Sequence, residues 1–575
     1  MSDLFYESEI LKKAISGVAK EVIDKETSSC FRVYKAIVVS PKTYDAEKGF
    51  VCGVRLVGDD TVLYLPLSSA TSNAQVGDTV WVATIANSFR NAIVWENRFF
   101  QEQNVTPKHY GARWDKTVYQ MTRLYDAESF PSVTTNFCYL GSVNENYDNP
   151  FDGIYPWSEI KLCNIDIEIY MNLTAGQSIT ESVVAWEGDP DFSYDHPYGV
   201  WRYRPGFYGK SWEDDTYRYF DVCESDLGGY IYYHEDIAGR WQGVSKQIEI
   251  NGQSQTVLLP LQGITAGRSY DARSQHLLAK NYGATVDSIY TFDADLLLMI
   301  VEYATMNVQY YIGNGVTLLN YQPSTTIQEN IIDTNVIRLP ASPWQTYCIP
   351  GAVLVIGDYP GTNTVGTFYV VSATLDPQDS SYINVTINDS VTATTSQYLS
   401  IQGLMNQADA QIGSKSGYIG TNGYCNSYYR GIVMYGNGIL YILGIYKDGS
   451  NQSVWIAKDN KQADQYDDLD QSAHISTGLS IPLGSDYIKE LGIVPGNYVS
   501  IPPICTEFGG TYLNPVGDYV YNSDGTTQNK ILFIGGSPSS GGAGGPFCQF
   551  WAFTNNTIIW YITARPRLMP VSEGG

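Results

Sequence analysis

The segment GGSPSSGGAGGPFCQFWAFTNNTIIWYITAR, residues 535–565, joins a glycine-rich turn to an aromatic run and a short final strand. Glycine adopts backbone conformations that other residues reach only with strain, so clustered glycines indicate a backbone held on a fixed, irregular path. We expect a structural frame here, with residues between its members free to vary. The frame positions are Gly535, Gly536, Gly541, Gly544, Gly545, Phe547, Ile562, Ala564 and Arg565.

Two upstream runs, Tyr429-Arg430-Gly431 and Tyr435-Gly436-Asn437, belong to the same pattern. Together with the frame they resemble the C-type-lectin-like fold, in the formylglycine-generating-enzyme-like branch found in tail and fibre proteins of phages and prophages. The resemblance implies a glycine-held surface that presents variable side chains to a ligand. The candidate ligand-binding residues between the frame positions are Ser537, Ser539, Ser540, Phe550, Phe553, Asn555, Trp560 and Tyr561.

The aromatic members of this set have two competing interpretations. Aromatic rings offer a large contact area at low entropic cost, which suits sugar stacking and protein interfaces. In a strand, however, only alternate side chains point outward, so about half of these rings are expected in the core. A hydrophobic patch covered by a neighbouring subunit also fits the apolar character of Phe550 and Trp560.

Composition limits both the fold class and the ligand. The 575 residues contain 53 Gly and 46 Tyr, which favours many short strands and turns over long helices. The 60 acidic residues outnumber the 35 basic ones and give a net charge of −25, so nucleic acid is not an expected ligand. No apolar run is long enough to span a membrane and no signal peptide opens the chain, so we expect no membrane insertion.

The sequence predicts a mainly β, multidomain protein with some α structure. Apolar residues at helical spacing within Ser8–Ile23 indicate an N-terminal amphipathic helix. Five strand-like runs then predict an OB-like β-barrel, and one good helix further on has Asp293 as its cap and ends near Gly313. The predicted divisions are 1–25 (helix), 26–104 (barrel), 105–320 (first part of the lectin-like domain), 321–404 (inserted small β-domain) and 405–575 (second part).

Catalytic and metal-binding patterns are weak. Oxygen-rich clusters at 144–152 and 189–195 could bind calcium, but Asn and Asp also cap turns, and neither cluster has EF-hand spacing. Glu187 with Asp191, or Asp214 with Asp215, could form a glycosidase pair, but solvated surface acids explain them as well. The enzyme branch of the resembled fold uses a closely spaced cysteine pair, whereas Cys548 stands alone. We therefore expect no catalysis and no cofactor, with calcium left open.

The nine cysteines contain no C-x-x-C motif and are expected to be mostly buried thiols.

The expected function is that of a virion structural protein of tail, fibre or baseplate type, made in the host cytoplasm, that binds a host-surface glycan or protein. Other tail or baseplate proteins are expected partners, and analogy with phage fibres implies a homo-oligomer, with a trimer as the usual form. The alternatives are a purely structural baseplate, collar or head-fibre component, and a carbohydrate-active enzyme.

Overall fold

Most of the chain after residue 106, and the strands before it, can be described in structural terms. The computed structural model describes residues 32–45, 49–56, 62–66, 79–85, 88–96, 107–133, 149–261, 270–312, 324–348, 350–360, 364–404, 416–419, 425–434, 439–465, 468–492, 494, 499, 504–511, 515–522, 527–536, 544–558 and 562–571. The N-terminal helix predicted within residues 1–25 lies outside these ranges.

Residues 1–106 form one of two compact units, and its described part is a five-stranded antiparallel sheet. The sheet order is third-second-first-fourth-fifth strand, and the two edge strands approach each other. This is the strand order of an OB barrel, and register shifts after Val38 and Ser40 bend the long first strand. The strands are β1 (Arg32–Asp45), β2 (Gly49–Leu56), β3 (Val62–Pro66), β4 (Thr79–Ile85) and β5 (Ser88–Glu96).

Residues 107–575 form the second unit. Residues 107–312 supply twelve described strands: β6 (His109–Asp115), β7 (Gln120–Tyr125), β8 (Lys161–Ile165), β9 (Val183–Trp186), β10 (Trp201–Arg204), β11 (Phe207–Glu213), β12 (Tyr217–Cys223), β13 (Ile231–Tyr233), β14 (Asp236–Gly239), β15 (Val244–Ile250), β16 (Gln253–Leu259) and β17 (Thr285–Val286). They also supply the helices α1 (Ile167–Met171), α2 (Ala272–Lys280), α3 (Ile289–Tyr303) and α4 (Gln309–Ile312), with 3-10 turns at Pro150–Gly153, Trp157–Glu159 and Ile179–Ser182. One five-stranded sheet has the order β13-β11-β12-β6-β7, and β15 pairs with β16.

Residues 324–404 form a sheet and a core of their own. The strands are β18 (Ser324–Thr326), β19 (Ile331–Pro340), β20 (Ala352–Gly357), β21 (Gly366–Leu375), β22 (Tyr382–Ala393) and β23 (Tyr398–Leu404), with the helix α5 (Ala341–Tyr347). They pair in the order β18-β23-β20-β21-β22-β19. Alternate residues of β22 (Ile383, Val385 and Ile387) point into a core drawn from within this segment. These residues fall inside the range predicted for the inserted domain.

Residues 416–571 form sheets of their own and add one strand to a sheet of residues 107–312. Their strands are β24 (Ser416–Ile419), β25 (Cys425–Tyr429), β26 (Ile432–Val433), β27 (Ile439–Lys447), β28 (Ser453–Ala457), β29 (His474–Ser480), β30 (Gly484–Leu491), β31 (Cys505–Phe508), β32 (Tyr519–Asn522), β33 (Lys530–Gly535), β34 (Gly545–Phe550), β35 (Ile562–Thr563) and β36 (Pro566–Leu568), with α6 (Asn460–Gln465). Eight of these strands pair in the order β29-β28-β27-β33-β34-β32-β30-β31, and β35 joins β27. The last strand, β36, lies between β17 and β14 in the sheet β17-β36-β14-β10-β8-β9. The mainly β fold predicted from the sequence is confirmed.

Helix α3 lies at the centre of this unit and corrects one prediction. The helix starts with a capping box between Ser288 and Thr291 and ends at Ala304 in a left-handed conformation. The predicted cap, Asp293, lies inside the helix, where its buried carboxylate accepts a hydrogen bond from Tyr233. Every residue of 289–303 except the partly exposed Tyr290 is buried, as expected for a helix packed in a core. The local cap chosen from sequence was wrong because Asp293 has a tertiary partner instead.

A buried ion network joins β10, β14, α3 and β36. The Arg567 guanidinium contacts three carboxylates: Nη1 lies 3.0 Å from Asp236, Nη2 lies 2.8 Å from Asp295, and Nε donates to Asp287. All four side chains are fully buried. Burial alone would raise the pKa of Asp295, but Arg202, Arg567 and a further arginine outweigh it and hold this pKa below its ordinary value. The network therefore ties the last strand to elements from the first part of the unit.

A second buried group surrounds Glu302 at the end of α3. Its carboxylate accepts two hydrogen bonds from Arg430, both of 2.8 Å, and one of 2.9 Å from the Tyr429 hydroxyl. The Asn149 amide also donates to it. Tyr429 and Arg430 belong to the run noted in the sequence, so this motif fastens β25 to the central helix.

We expect Glu302→Gln to lower the free energy of unfolding by about 2–3 kcal/mol, because an amide nitrogen then faces donors and Arg430 loses a charged partner. Thermal and urea unfolding monitored by circular dichroism would measure the change. The exposed Glu159→Gln serves as the control, since its partner Lys161 is half exposed. Equal losses for the two variants would contradict this account.

Candidate functional site

The described frame residues of the glycine-rich segment are buried. Gly535, Gly545, Phe547, Ala564 and Arg565 all lie in the interior. A Cβ atom added at Gly545 would lie 1.9 Å from the Asp518 carboxylate, so this position has room only for glycine. Gly541 lies outside the described residues. The frame therefore provides structure.

The structure places the predicted ligand-binding residues in different environments. Phe550 is 8 % exposed and stacks on Tyr521 with ring centroids 4.5 Å apart, so its ring packs in the core. Phe553 is half-buried and meets Phe533 edge-on at 5.8 Å. Asn555 is partly exposed and lines a pocket. Five further candidates lie outside the described residues, namely Ser537, Ser539, Ser540, Trp560 and Tyr561.

The pocket at Asn555 has a volume of about 370 Å³, within the lower part of the usual range for small-molecule sites. Three loops form it: one ahead of β29, one ahead of β33 and one after β34. Six of its eight lining residues carry amides or hydroxyls, one is acidic and one is aliphatic. They are Asp468, Thr527, Gln528, Asn529, Ile531, Thr554, Asn555 and Asn556.

Backbone hydrogen bonds fix the loop that carries Asn555. The Thr557 hydroxyl accepts from the Thr554 N–H at 3.1 Å, and the Thr557 N–H donates to the Thr554 carbonyl at 3.2 Å. The Asn555 carbonyl accepts from the N–H of Arg273 at the start of α2, at 3.1 Å. At the base of the pocket, the Ile531 N–H donates to the Phe553 carbonyl at 3.2 Å. The pocket wall is thus anchored to both a helix and a sheet.

The lining can exchange many neutral hydrogen bonds. Each amide side chain offers donors and an acceptor, and each hydroxyl offers both. The side chains of Gln528 and Asn529 make no hydrogen bond within the described ranges, so these amides can bind a ligand. Such a lining matches a polyhydroxylated molecule.

No protein-family model matches this sequence, and no curated protein matches it. In the ranges that the structure covers, no helix is both long and apolar enough to cross a membrane.

Beneath the glycine-rich segment lies a buried carboxyl group, that of Asp518. It accepts a hydrogen bond of 2.6 Å from the Phe547 N–H and lies against Gly545. Burial raises its pKa to about 8, and hydrogen bonds from the backbone of Phe547 and Cys548 offset this only in part. Asp518 thus holds the start of β34, where the glycine-rich segment ends.

The candidate metal and catalytic acids have local partners. The Asp189 carboxylate accepts a 2.9 Å hydrogen bond from the Trp186 N–H. The backbone N–H groups of Tyr217 and Thr216, with a tyrosine hydroxyl, lower the pKa of Asp214, which favours a turn-capping carboxylate over a general acid. Residues 144–148 lie outside the described ranges. Among the residues that are described, no group of three or more His, Cys, Asp or Glu is placed to hold a metal ion.

The cysteines whose side chains are described are free and buried, as predicted. Burial raises the pKa of Cys505 to about 12 and that of Cys548 well above its ordinary value. The thiolate is the reactive form, so these groups are poor nucleophiles. The described free cysteines are Cys163, Cys223, Cys348, Cys505 and Cys548.

The structure also reveals an aromatic face that the sequence analysis missed, on the sheet β13-β11-β12-β6-β7. Trp212 and Tyr219 face each other across β11 and β12, with centroids 5.0 Å apart and planes 6° from parallel. The Arg113 guanidinium lies 4.7 Å from the Tyr217 ring. All four side chains are partly exposed. We call Arg113, Trp212, Tyr217 and Tyr219 the aromatic face. The available signal was the alternation of Tyr217 and Tyr219 with the buried Arg218 and Phe220 along β12.

Proposed function

We propose that this protein is a virion structural component of a tailed phage that binds the host cell surface through the pocket at Asn555. One observation carries the proposal: a pocket rich in amides and hydroxyls is lined by Asn555, one of the residues between frame positions where the resemblance implies a ligand. The assignment to a virion is supported by the lectin-like resemblance and by the OB-like strand order of the N-terminal unit. Binding needs no covalent chemistry.

The form of the pocket favours weak binding at each site. It is shallow and polar, and it offers little apolar area for desolvation. An adhesin with weak sites gains strength when several copies bind one surface together. A homo-oligomer, by analogy with phage fibres a trimer, fits this requirement, and mounting on other tail or baseplate proteins would place the copies side by side.

We expect Asn529→Ala/Asn555→Ala to weaken binding to candidate host bacteria at least about tenfold, because two hydrogen-bonding amides are removed from the pocket. Cosedimentation of fluorescently labelled protein with whole cells would measure this. Asn335→Ala/Gln378→Ala, which truncates two exposed amides of the inserted domain, is the matched control. Unchanged binding by a folded pocket variant would rule out this site.

The aromatic face favours a second candidate, a purely structural component that binds neighbouring virion proteins. Tryptophan, tyrosine and arginine are the residue types that dominate protein interfaces, and this face combines all three. The pocket gives less support to the carbohydrate-active enzyme, since Asp468 is the single carboxylate among its described lining residues and glycoside hydrolysis commonly uses two.

For the second candidate, Trp212→Ala would abolish capture of neighbouring virion proteins and leave cell binding intact. The same change removes a stacked cross-strand pair, so we expect a stability loss of about 1 kcal/mol. Unfolding and pull-down experiments with Trp212→Ala and the more conservative Trp212→Phe separate the two effects. Intact capture by both variants would exclude the aromatic face as the interface.

A further inference from the structure

We infer that the pocket selects neutral sugars and rejects carboxylated ones, an inference that rests on the proposed function. The described lining residues include one charged side chain, Asp468, and no lysine or arginine. Sites that bind carboxylates normally place arginine or lysine against them, because charge-assisted hydrogen bonds offset the loss of hydration. A uronic or sialic acid would find no such partner among the described lining residues.

Asp468 is also positioned to act against an acidic ligand. Its Oδ1 accepts a hydrogen bond of 2.7 Å from the Leu469 N–H, which holds the carboxylate at the pocket. The side chain is exposed, so its charge remains hydrated and its second oxygen can accept a sugar hydroxyl. A ligand carboxylate at about 4 Å would be repelled enough to weaken binding about five- to tenfold at low salt.

The other lining residues favour the binding of neutral sugars. The amides of Gln528 and Asn529 and the hydroxyl of Thr527 can each donate to and accept from sugar hydroxyl groups, and Ile531 gives a small apolar contact for a sugar C–H face. The volume of about 370 Å³ suits the end of a glycan chain better than a long oligosaccharide. The inferred ligand class is therefore a neutral terminal sugar.

The test uses the full-length protein and matched methyl glycosides: glucose with glucuronic acid, galactose with galacturonic acid, and mannose with mannuronic acid. Saturation-transfer NMR titrations give each affinity at 20 mM and 300 mM NaCl. We expect the neutral member of any binding pair to bind at least about fivefold tighter at low salt, with a smaller ratio at high salt. Asp468→Asn should narrow the low-salt ratio to about twofold or less.

Three outcomes would overturn the inference: an acidic member that binds as tightly as its neutral partner, a ratio unaffected by both salt and Asp468→Asn, or no binding of any of the six sugars. If Asp468→Asn does not fold, the affinity ratios of the unmodified protein at the two salt concentrations still test the inference. Cell binding that still depends on Asn529 and Asn555 would then keep the proposed function, whereas cell binding independent of both would remove it.

Discussion

Replacing Arg567 by methionine is expected to lower the free energy of unfolding of residues 107–575 by about 3–5 kcal/mol, the usual cost of breaking a buried ion pair from one side. The guanidinium uses Nη1, Nη2 and Nε on three different carboxylates, all fully buried. Methionine fills much of the volume but leaves these charges with fewer partners. The three carboxylates therefore stay buried, and the attraction that offsets the cost of burying their charges becomes weaker.

Loss of the Arg567 guanidinium would not affect the three carboxylates equally, because they differ in the other arginines that they contact. Asp236 keeps Arg204, and Asp295 keeps Arg202 at 2.9 Å. Asp287 keeps only a longer approach of 3.4 Å from Arg565, whose pKa burial lowers to about 10. We expect Arg567→Lys to be intermediate, because a single ammonium cannot reproduce the planar, three-way contact of a guanidinium.

Chemical unfolding followed by tryptophan fluorescence would measure both variants of Arg567. Lys161→Ala is the matched control, since its partner Glu159 lies 3.4 Å away and both side chains are about half exposed; a surface pair of this kind is worth about 0–1 kcal/mol. If Arg567→Met and Lys161→Ala had equal, small effects, the buried carboxylates would have to be neutral or hydrated, and the network would not hold β36 in place.

Local patterns in the sequence were enough to predict the β-rich architecture. Strand-like runs separated by turns indicated the five strands of the first unit, and runs rich in Thr, Val, Ile and Ser indicated the sheet of residues 324–404. Each strand carries such a pattern locally, even where its partner lies far along the chain. The ion network could not be predicted in this way. Arg567 meets Asp236, Asp287 and Asp295 only after β36 has inserted between β14 and β17, and no local period encodes that insertion.

The candidate site, like the ion network, depends on contacts between residues that are far apart in the sequence. Asn555 was identified from the glycine frame, but its pocket partners Asp468 and Asn529 come from other loops, which meet only in the folded sheet. Phe550 was one of the candidate ligand-binding residues, although about half of the aromatic candidates were expected in the core because a strand exposes only alternate side chains. All six residues of β34 are buried, since both faces of that strand are covered, and so its ring contributes to packing.

The second large effect should appear as a pH dependence that comes from Asp518. Its pKa is about 8 in the folded protein and about 4 when the chain is unfolded and the group is hydrated. The folded state therefore binds more protons across this interval. Stability from this group is complete below about pH 4 and is lost as the pH rises to about 8, by on the order of 5 kcal/mol in total.

Asp518→Asn should remove this dependence, because the amide keeps a carbonyl acceptor for the Phe547 N–H and carries no charge to bury. We expect the variant to gain several kcal/mol on the wild type between pH 5 and pH 8, as measured by urea unfolding at each pH. Other groups titrate identically in both proteins, and Asp215→Asn, an exposed position, controls for the loss of one acidic residue.

Parallel pH curves for the wild type and Asp518→Asn would contradict the assignment of a buried, proton-binding carboxyl beneath Gly545. A diverging pair would support a buried, proton-binding carboxyl at Asp518, the group that an added Cβ at position 545 would approach to 1.9 Å. The end of the glycine-rich segment would then be fixed by an interior group, as the buried residues of β34 are, and only exposed residues between the frame positions would be free to change without loss of the fold.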